Sequence, residues 1–216
     1  MQQQTPMNQG QQQGQTQGMP NMNHGGHELF DLHEVLGDKI NLLDQFMIFR
    51  QYVQDPELLD ILDRQYQFAL THYNITAECF STGQKPSQET ETYMIQNMTP
   101  PVYGIKPSQP KKPNQSLADV KDAGLSGHML GLVKGHASLL TMASVEVTNP
   151  VVRRVLASQV QHFIEMVYEI FQYQNKNGYY QVPQLSAQDA QAMLSAYTPA
   201  QGTPQMPSNQ GGTTTH

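Results

Sequence analysis

Gln54-Asp55-Pro56-Glu57-Leu58 and, 94 residues further on, Thr148-Asn149-Pro150-Val151-Val152 decide the fold, because they are one helix-start signal written twice. Asp or Asn immediately before a helix accepts a bond from an unpaired backbone N–H of the first turn, and Pro suits the first helical position, where no N–H is needed. The same offset relates Leu36-Gly37 to Leu130-Gly131, Leu62 to Leu156, Gln65 to Gln159 and Gln67 to Gln161. Each half reads as a long helix, a Pro corner and a second long helix. Two copies of such a hairpin predict an all-α four-helix bundle.

Working outward from the corners, residues 28–52 form the first helix, with Leu29, Leu32, Leu36, Ile40, Leu43 and Met47 spaced by three and four as its apolar stripe. The second helix runs over 56–80, and its seam is Leu58, Leu62, Gln65, Ala69, His72, Thr76 and Cys79, polar at two places where apolar residues are expected. Residues 81–116 hold six prolines and read as a crossover, with one short helical turn near 91–97 and with Tyr93, Met94, Val102, Tyr103 and Ile105 as the residues to pin it to the bundle. A connector this long is unusual in a compact domain. Between the second and third helices it lets both run in the same direction, as in ferritin-like bundles. The third helix is expected over 117–147. It carries Gly124, Gly127, Gly131 and Gly135 on one face, and glycine costs roughly 0.8–1 kcal/mol in a helix interior, so another backbone is expected close by. The fourth helix runs from Pro150 to an Asn177-Gly178 stop, with a seam of Val152, Val155, Gln159, His162, Met166, Ile170 and Tyr173. A short helix over 186–196 packs outside or frays. The core is thus 27–183, divided into a hairpin 28–80, the crossover 81–116 and a hairpin 117–177.

Residues 1–26 are Gln, Asn, Gly, Met and Pro-rich, and 199–216 are similar; such composition cannot offset ordering entropy, so both read as disordered tails flanking the core, with 184–216 contributing only the short helix and the tail. The formal net charge of −6 speaks against nucleic acid or anionic lipid as partners. No apolar run reaches about 18 residues, and no basic start precedes an apolar segment, so neither a membrane span nor a secretory signal is expected, and synthesis in the cytoplasm follows. The single Cys79 sits on an apolar seam and reads as an inert core thiol.

Ferritin-like di-iron proteins place one Glu on each of two helices and Glu-x-x-His on each of the others. The repeat-equivalent positions here are Glu34, His128, Gln65-x-x-Phe68 and Gln159-x-x-His162. One carboxylate cannot neutralise two iron ions, and an amide oxygen is a weak ligand. Glu34, Gln65, His128, Gln159 and His162 are therefore the remnant of a cage, expected to hold no metal and to form a buried polar network that fixes helix register. A single ion held by some of His33, Glu34, His128 and His162 is the alternative. No catalytic constellation stands out, and neither a catalytic residue nor a cofactor is expected.

The stretch 27–73, with His27-Glu-Leu-Phe-Asp-Leu-His-Glu34 and Val53-Gln-Asp-Pro-Glu-Leu58, resembles the coat F family of spore coat proteins of Bacillus-type bacteria. Residues 119–174, with Thr148-Asn-Pro-Val-Val-Arg-Arg-Val-Leu156, look like a second coat F domain, and the Gln- and Met-rich flanks are also similar. The resemblance implies a ferritin-like bundle that is a non-enzymatic part of the spore or its coat and pairs with other coat proteins or with itself, the glycine face of the third helix being one surface for that. The tails and exposed tyrosines, with Gln2–Gln4, Gln11–Gln13, Lys111-Lys112 and Tyr179-Tyr180, are candidates for cross-links. A metal-binding bundle and a helical adaptor are the competing readings.

Overall fold

A computed structural model describes residues 24–207. Helices α1 (Gly26–Arg50) and α2 (Pro56–Thr82) form one hairpin, α3 (Asp122–Glu146) and α4 (Pro150–Lys176) the other, and α5 (Ala187–Leu194) follows. The two Pro corners behave alike: Asp55 accepts from the Glu57 N–H, and Asn149 accepts from the Val151 and Val152 N–H groups. α4 stops at Asn177, followed by Gly178 at φ +73°, a left-handed conformation natural to glycine.

Each of the first four helices packs on two neighbours, α1 on α2 and α3, and α4 on α2 and α3. Asn149 at the start of α4 donates to the Gly83 carbonyl at the end of α2, and the Gln54 N–H before α2 donates to Asp122 at the start of α3. Adjacent helices therefore run antiparallel, and α2 and α3 run parallel as diagonal partners, the arrangement that a long crossover permits. That crossover is not a free loop. It returns along the α2–α4 groove in the direction of α4: Thr90 meets Ser158, Gln96 meets Glu169, and Val102 meets Asn175. Tyr93 is buried and Ile95 packs on the core, whereas Met94, Val102, Tyr103 and Ile105 are exposed.

The seam expected for α2 is buried at every position, and that of α4 at every position but the half-buried Val155. Four expectations are corrected. The inward face of α1 is Leu32, Val35, Lys39, Leu42, Leu43 and Phe46, while Ile40 and Met47 are exposed; the buried line passes through a lysine, which an apolar stripe does not include. The third helix begins at Asp122, after a single 3-10 turn at Leu117–Asp119, and no helical turn forms at 91–97. The glycine face of α3 meets no other backbone: a Cβ at Gly124, Gly131 or Gly135 would have nothing within 4 Å, and at Gly127 only the Gln174 side chain at 3.5 Å. Among the described residues there is no strand, only a bridge between Tyr103 and Val182. The short terminal helix does form, capped by Ser186, and buries none of its residues.

Candidate functional site

The bundle interior is polar at its centre. Lys39 projects from α1 into a fully buried position and donates to Gln159 Oε1 on α4 at 2.7 Å, to Thr76 Oγ1 on α2 at 3.3 Å and to the His72 carbonyl at 3.4 Å. Gln159 Nε2 donates in turn to Thr76 Oγ1, whose hydroxyl donates to the His72 carbonyl. The Lys39 ammonium also lies 5.5 Å from the Phe163 ring centre. Burial pushes this lysine down to about 7, against the pull of the neighbouring Asp38.

Two imidazoles flank the lysine. His72 Nδ1 donates to the Phe68 carbonyl, and His136 Nδ1 lies 2.7 Å from Asp38. In both rings Nε2 is buried without a hydrogen-bond partner. Burial, reinforced by Lys39, lowers both to about 4, although the Phe68 carbonyl and Asp38 respectively oppose it; each ring is neutral at pH 7. The result is a buried amine, poised between its charged and neutral forms at pH 7, held by donors and acceptors from three helices.

A second network fastens the crossover to the bundle. Glu169, 3% exposed on α4, receives both Arg64 Nη1 and Nη2, Gln65 Nε2 and the Gln96 N–H. The Tyr93 hydroxyl donates to the same carboxylate in a very short bond. Burial and the adjacent carboxylate raise the Tyr93 phenol well above its ordinary range. Open clefts of 430 and 370 Å³ lie on either side of Tyr93. A third network closes the opposite end: Glu28 accepts from the Thr148 N–H, the Thr148 hydroxyl and the Asn149 N–H, and contacts His24 at 2.6 Å. Burial opposes ionisation of Glu28, but those bonds outweigh it and lower its pKa.

The five remnant-cage residues divide. Gln65, Gln159 and His162 are buried, whereas Glu34 and His128, like His33, are on the solvent side. Gln65 belongs to the Glu169 network and Gln159 to the Lys39 network, while His162 accepts weakly from the Tyr93 N–H at 3.4 Å. The inward position on α1 is Lys39, five residues beyond Glu34, so an ammonium stands where the cage analogy calls for a carboxylate. Among the described residues no group of three or more His, Cys, Asp or Glu is arranged to hold a metal ion. Chemically, the arrangement ties helices together through charge-assisted bonds. Cys79 is fully buried, and burial raises its thiol to about 11.

The profile of the coat F domain matches residues 121–183, the second hairpin and its exit. Across 208 residues the chain is 57% identical to the spore coat protein F-like protein YhcQ of Bacillus subtilis (strain 168), with 95% of each chain covered. The chain belongs to the coat F family. A solved structure of a candidate spore coat protein from Bacillus halodurans C-125 shares the fold of this coat F protein at a TM-score of 0.55 and 15% identity, covering 76% of this chain and 96% of that one.

Sequence reading of this coat F protein missed Lys39, Glu28, Arg64 and Glu169; of the five residues expected to pin the crossover, Tyr93 does so and Met94, Val102, Tyr103 and Ile105 are exposed. Lys39 left a readable trace, since it falls on the line Leu32-Val35-Lys39-Leu42-Phe46. Glu169 similarly continues the seam of Gln159, His162 and Met166. Tyr93 was legible as an anchor of the crossover, but its partner Glu169 was not, because the crossover has no helical period to place it. No helix among the described residues is long and apolar enough to cross a membrane.

Proposed function

We propose that this chain is a non-catalytic structural component of the spore coat that takes part in coat assembly. The observation that carries this reading is the closure of the polar interior: Lys39, Gln159 and Thr76 form one network of bonds across three helices, and the oxygens of Glu169 are taken up by Arg64 and Gln65 of α2 and by Tyr93 and Gln96 of the crossover. A charged group held this way specifies one register of the bundle, which suits a building block of fixed shape. Family membership supplies the setting, and other coat proteins are the partners that follow from it. Lys111, Lys112, Tyr179 and Tyr180 are exposed and are the side chains on which covalent linkage to neighbours falls; Gln2–Gln4 and Gln11–Gln13 lie outside the described residues.

The test has two arms. Immunodetection of the chain in fractionated spores should place it in the extracted coat and not in decoated spores. The purified protein, incubated with Fe²⁺ in air and desalted, should retain less than one metal per chain. Recovery only from decoated spores would end the coat assignment. Stoichiometric metal would revive the metal-binding reading and make His162 and Glu34 the first residues to replace.

A further inference from the structure

Charge is divided unevenly along the chain. The first hairpin carries ten acidic residues against Lys39, Arg50 and Arg64. Of these three cations, Lys39 is buried, Arg50 is held by Asp63, and Arg64 is held by Asp60 and Glu169. Nothing is left for the outward side of α1, where Glu34, Gly37, Asn41, Asp44 and Ile48 follow one another at spacings of three and four and so share one face. That face is exposed throughout, and Ile48, together with Phe30 one turn before Glu34, adds an apolar component. Neither Glu34 nor Asp44 forms an ion pair among the described residues, where the solvent-facing acids paired with Lys or Arg are Glu57, Asp60, Asp63 and Glu89.

The complement lies at the start of α3. The end of the crossover and the first two turns of α3 enclose a groove of 1070 Å³ lined by Lys106, Lys111, Lys112 and Lys121. Its one carboxylate, Asp119, is already engaged by the Gln115 N–H and by the N–H and hydroxyl of Ser116. Lysine ion pairs among the described residues are Lys85–Glu89 and Lys176–Glu57, so all four groove ammonium groups are unpaired. The wall formed by α3 is bare: Gly124 has nothing within 4 Å of a would-be Cβ, and Gly127 only the end of Gln174. A helix from outside can therefore approach the α3 backbone while its carboxylates reach the lysines.

We propose that the lysine-lined groove receives the acidic outer face of α1 from a second copy of this chain. Ile48 of the α1 face and Lys121, Gly124 and His128 of the groove line one adjoining cavity, so the two surfaces are neighbours on the molecule and a two-fold pair can engage both at once. A net charge of −6 with one cationic groove favours this orientation over like-on-like encounters. The contact is a property of the purified chain and stands apart from where in the spore the chain resides.

The test is sedimentation velocity of the full chain at 20 and 500 mM NaCl over a range of concentrations. At low salt the weight-average sedimentation coefficient should rise with concentration. High salt should weaken association about tenfold or more, as expected for two or more exposed ion pairs. Lys106→Glu/Lys111→Glu/Lys112→Glu in the groove, and separately Glu34→Lys/Asp44→Lys on α1, should each abolish association while leaving the helical circular dichroism unchanged. Mixing the two variants should restore it, because the α1 face of the first then meets the groove of the second and the reversed charges meet in the other pairing. A wild-type chain that is monomeric at both salts, association indifferent to either variant, or loss without rescue on mixing would each overturn the proposal; the first would point to an acidic partner other than this chain.

Discussion

Replacing Lys39 by methionine removes an ammonium from a fully buried position and keeps a side chain of similar length. In the folded chain Lys39 releases its proton near pH 7, whereas in the unfolded chain it does so near 10.5. Between those values unfolding takes up a proton, so raising the pH favours the folded state; below pH 7 both states are protonated and the burial cost is carried in full. The slope approaches 1.4 kcal/mol per pH unit, and integrated from pH 7 to 9 the gain is about 2 kcal/mol. That window is clear of other buried groups. His72 and His136, lowered to about 4 from 6.5, add stability as the pH rises between those values and have finished doing so below pH 7. Cys79, raised to about 11 from 9.0, acts mainly above pH 9 and with the opposite sign. Urea unfolding of the wild type and Lys39→Met at half-unit steps from pH 7 to 9 measures the slopes directly. The wild type should gain stability across the window, and the variant should stay level. Parallel curves would show that Lys39 is not the buried titrating group and would refute the account of the bundle centre.

Three further outcomes follow from the networks. Glu169→Ala strands Arg64 and the Tyr93 hydroxyl and should cost about 3 kcal/mol, with faster limited proteolysis within 84–103; Tyr93→Phe should cost about 1 kcal/mol and loosen the crossover less, and an unchanged cleavage rate in Glu169→Ala would mean that the crossover is held elsewhere. Asn149→Ala removes the cap of α4 and the bond to the Gly83 carbonyl and should lower stability by about 1–2 kcal/mol in chemical denaturation, a neutral result being incompatible with the corner geometry. Gly131→Leu, on an open face, should leave the bundle folded and raise its stability by up to about 1 kcal/mol through helix propensity; a molten or unfolded variant by circular dichroism would place the glycine stripe in the core.

Local chemistry was legible in the chain itself. Asp55-Pro56, Asn149-Pro150 and Asn177-Gly178 act within a turn of their own positions, and each bounds a helix where the residues say it should. The seams of α2 and α4 were legible for the same reason: a period of 3.6 is visible in any window of three turns, and Gln65, His72, Gln159 and His162 interrupt it without breaking it. Together with the 94-residue offset, these readings led to a four-helix bundle with one long crossover before any contact was known.

What required the tertiary structure was the pairing of charges. A lysine is read as a surface residue unless its partners are known, and those of Lys39 are 37 and 120 residues away. Glu28 finds its donors 120 and 121 residues away. The course of the crossover depends on Tyr93 meeting Glu169, 76 residues distant, a contact that no periodicity encodes. The cage residues separated for a related reason: repeat equivalence preserves position along a helix but not which face turns inward, so Glu34 and His128 stayed outside while Lys39 and His136 entered. Local backbone preferences and apolar period therefore determined the number, ends and order of the helices. The low-dielectric interior, where a charge persists only beside partners brought from far along the chain, decided which polar residues make up the centre.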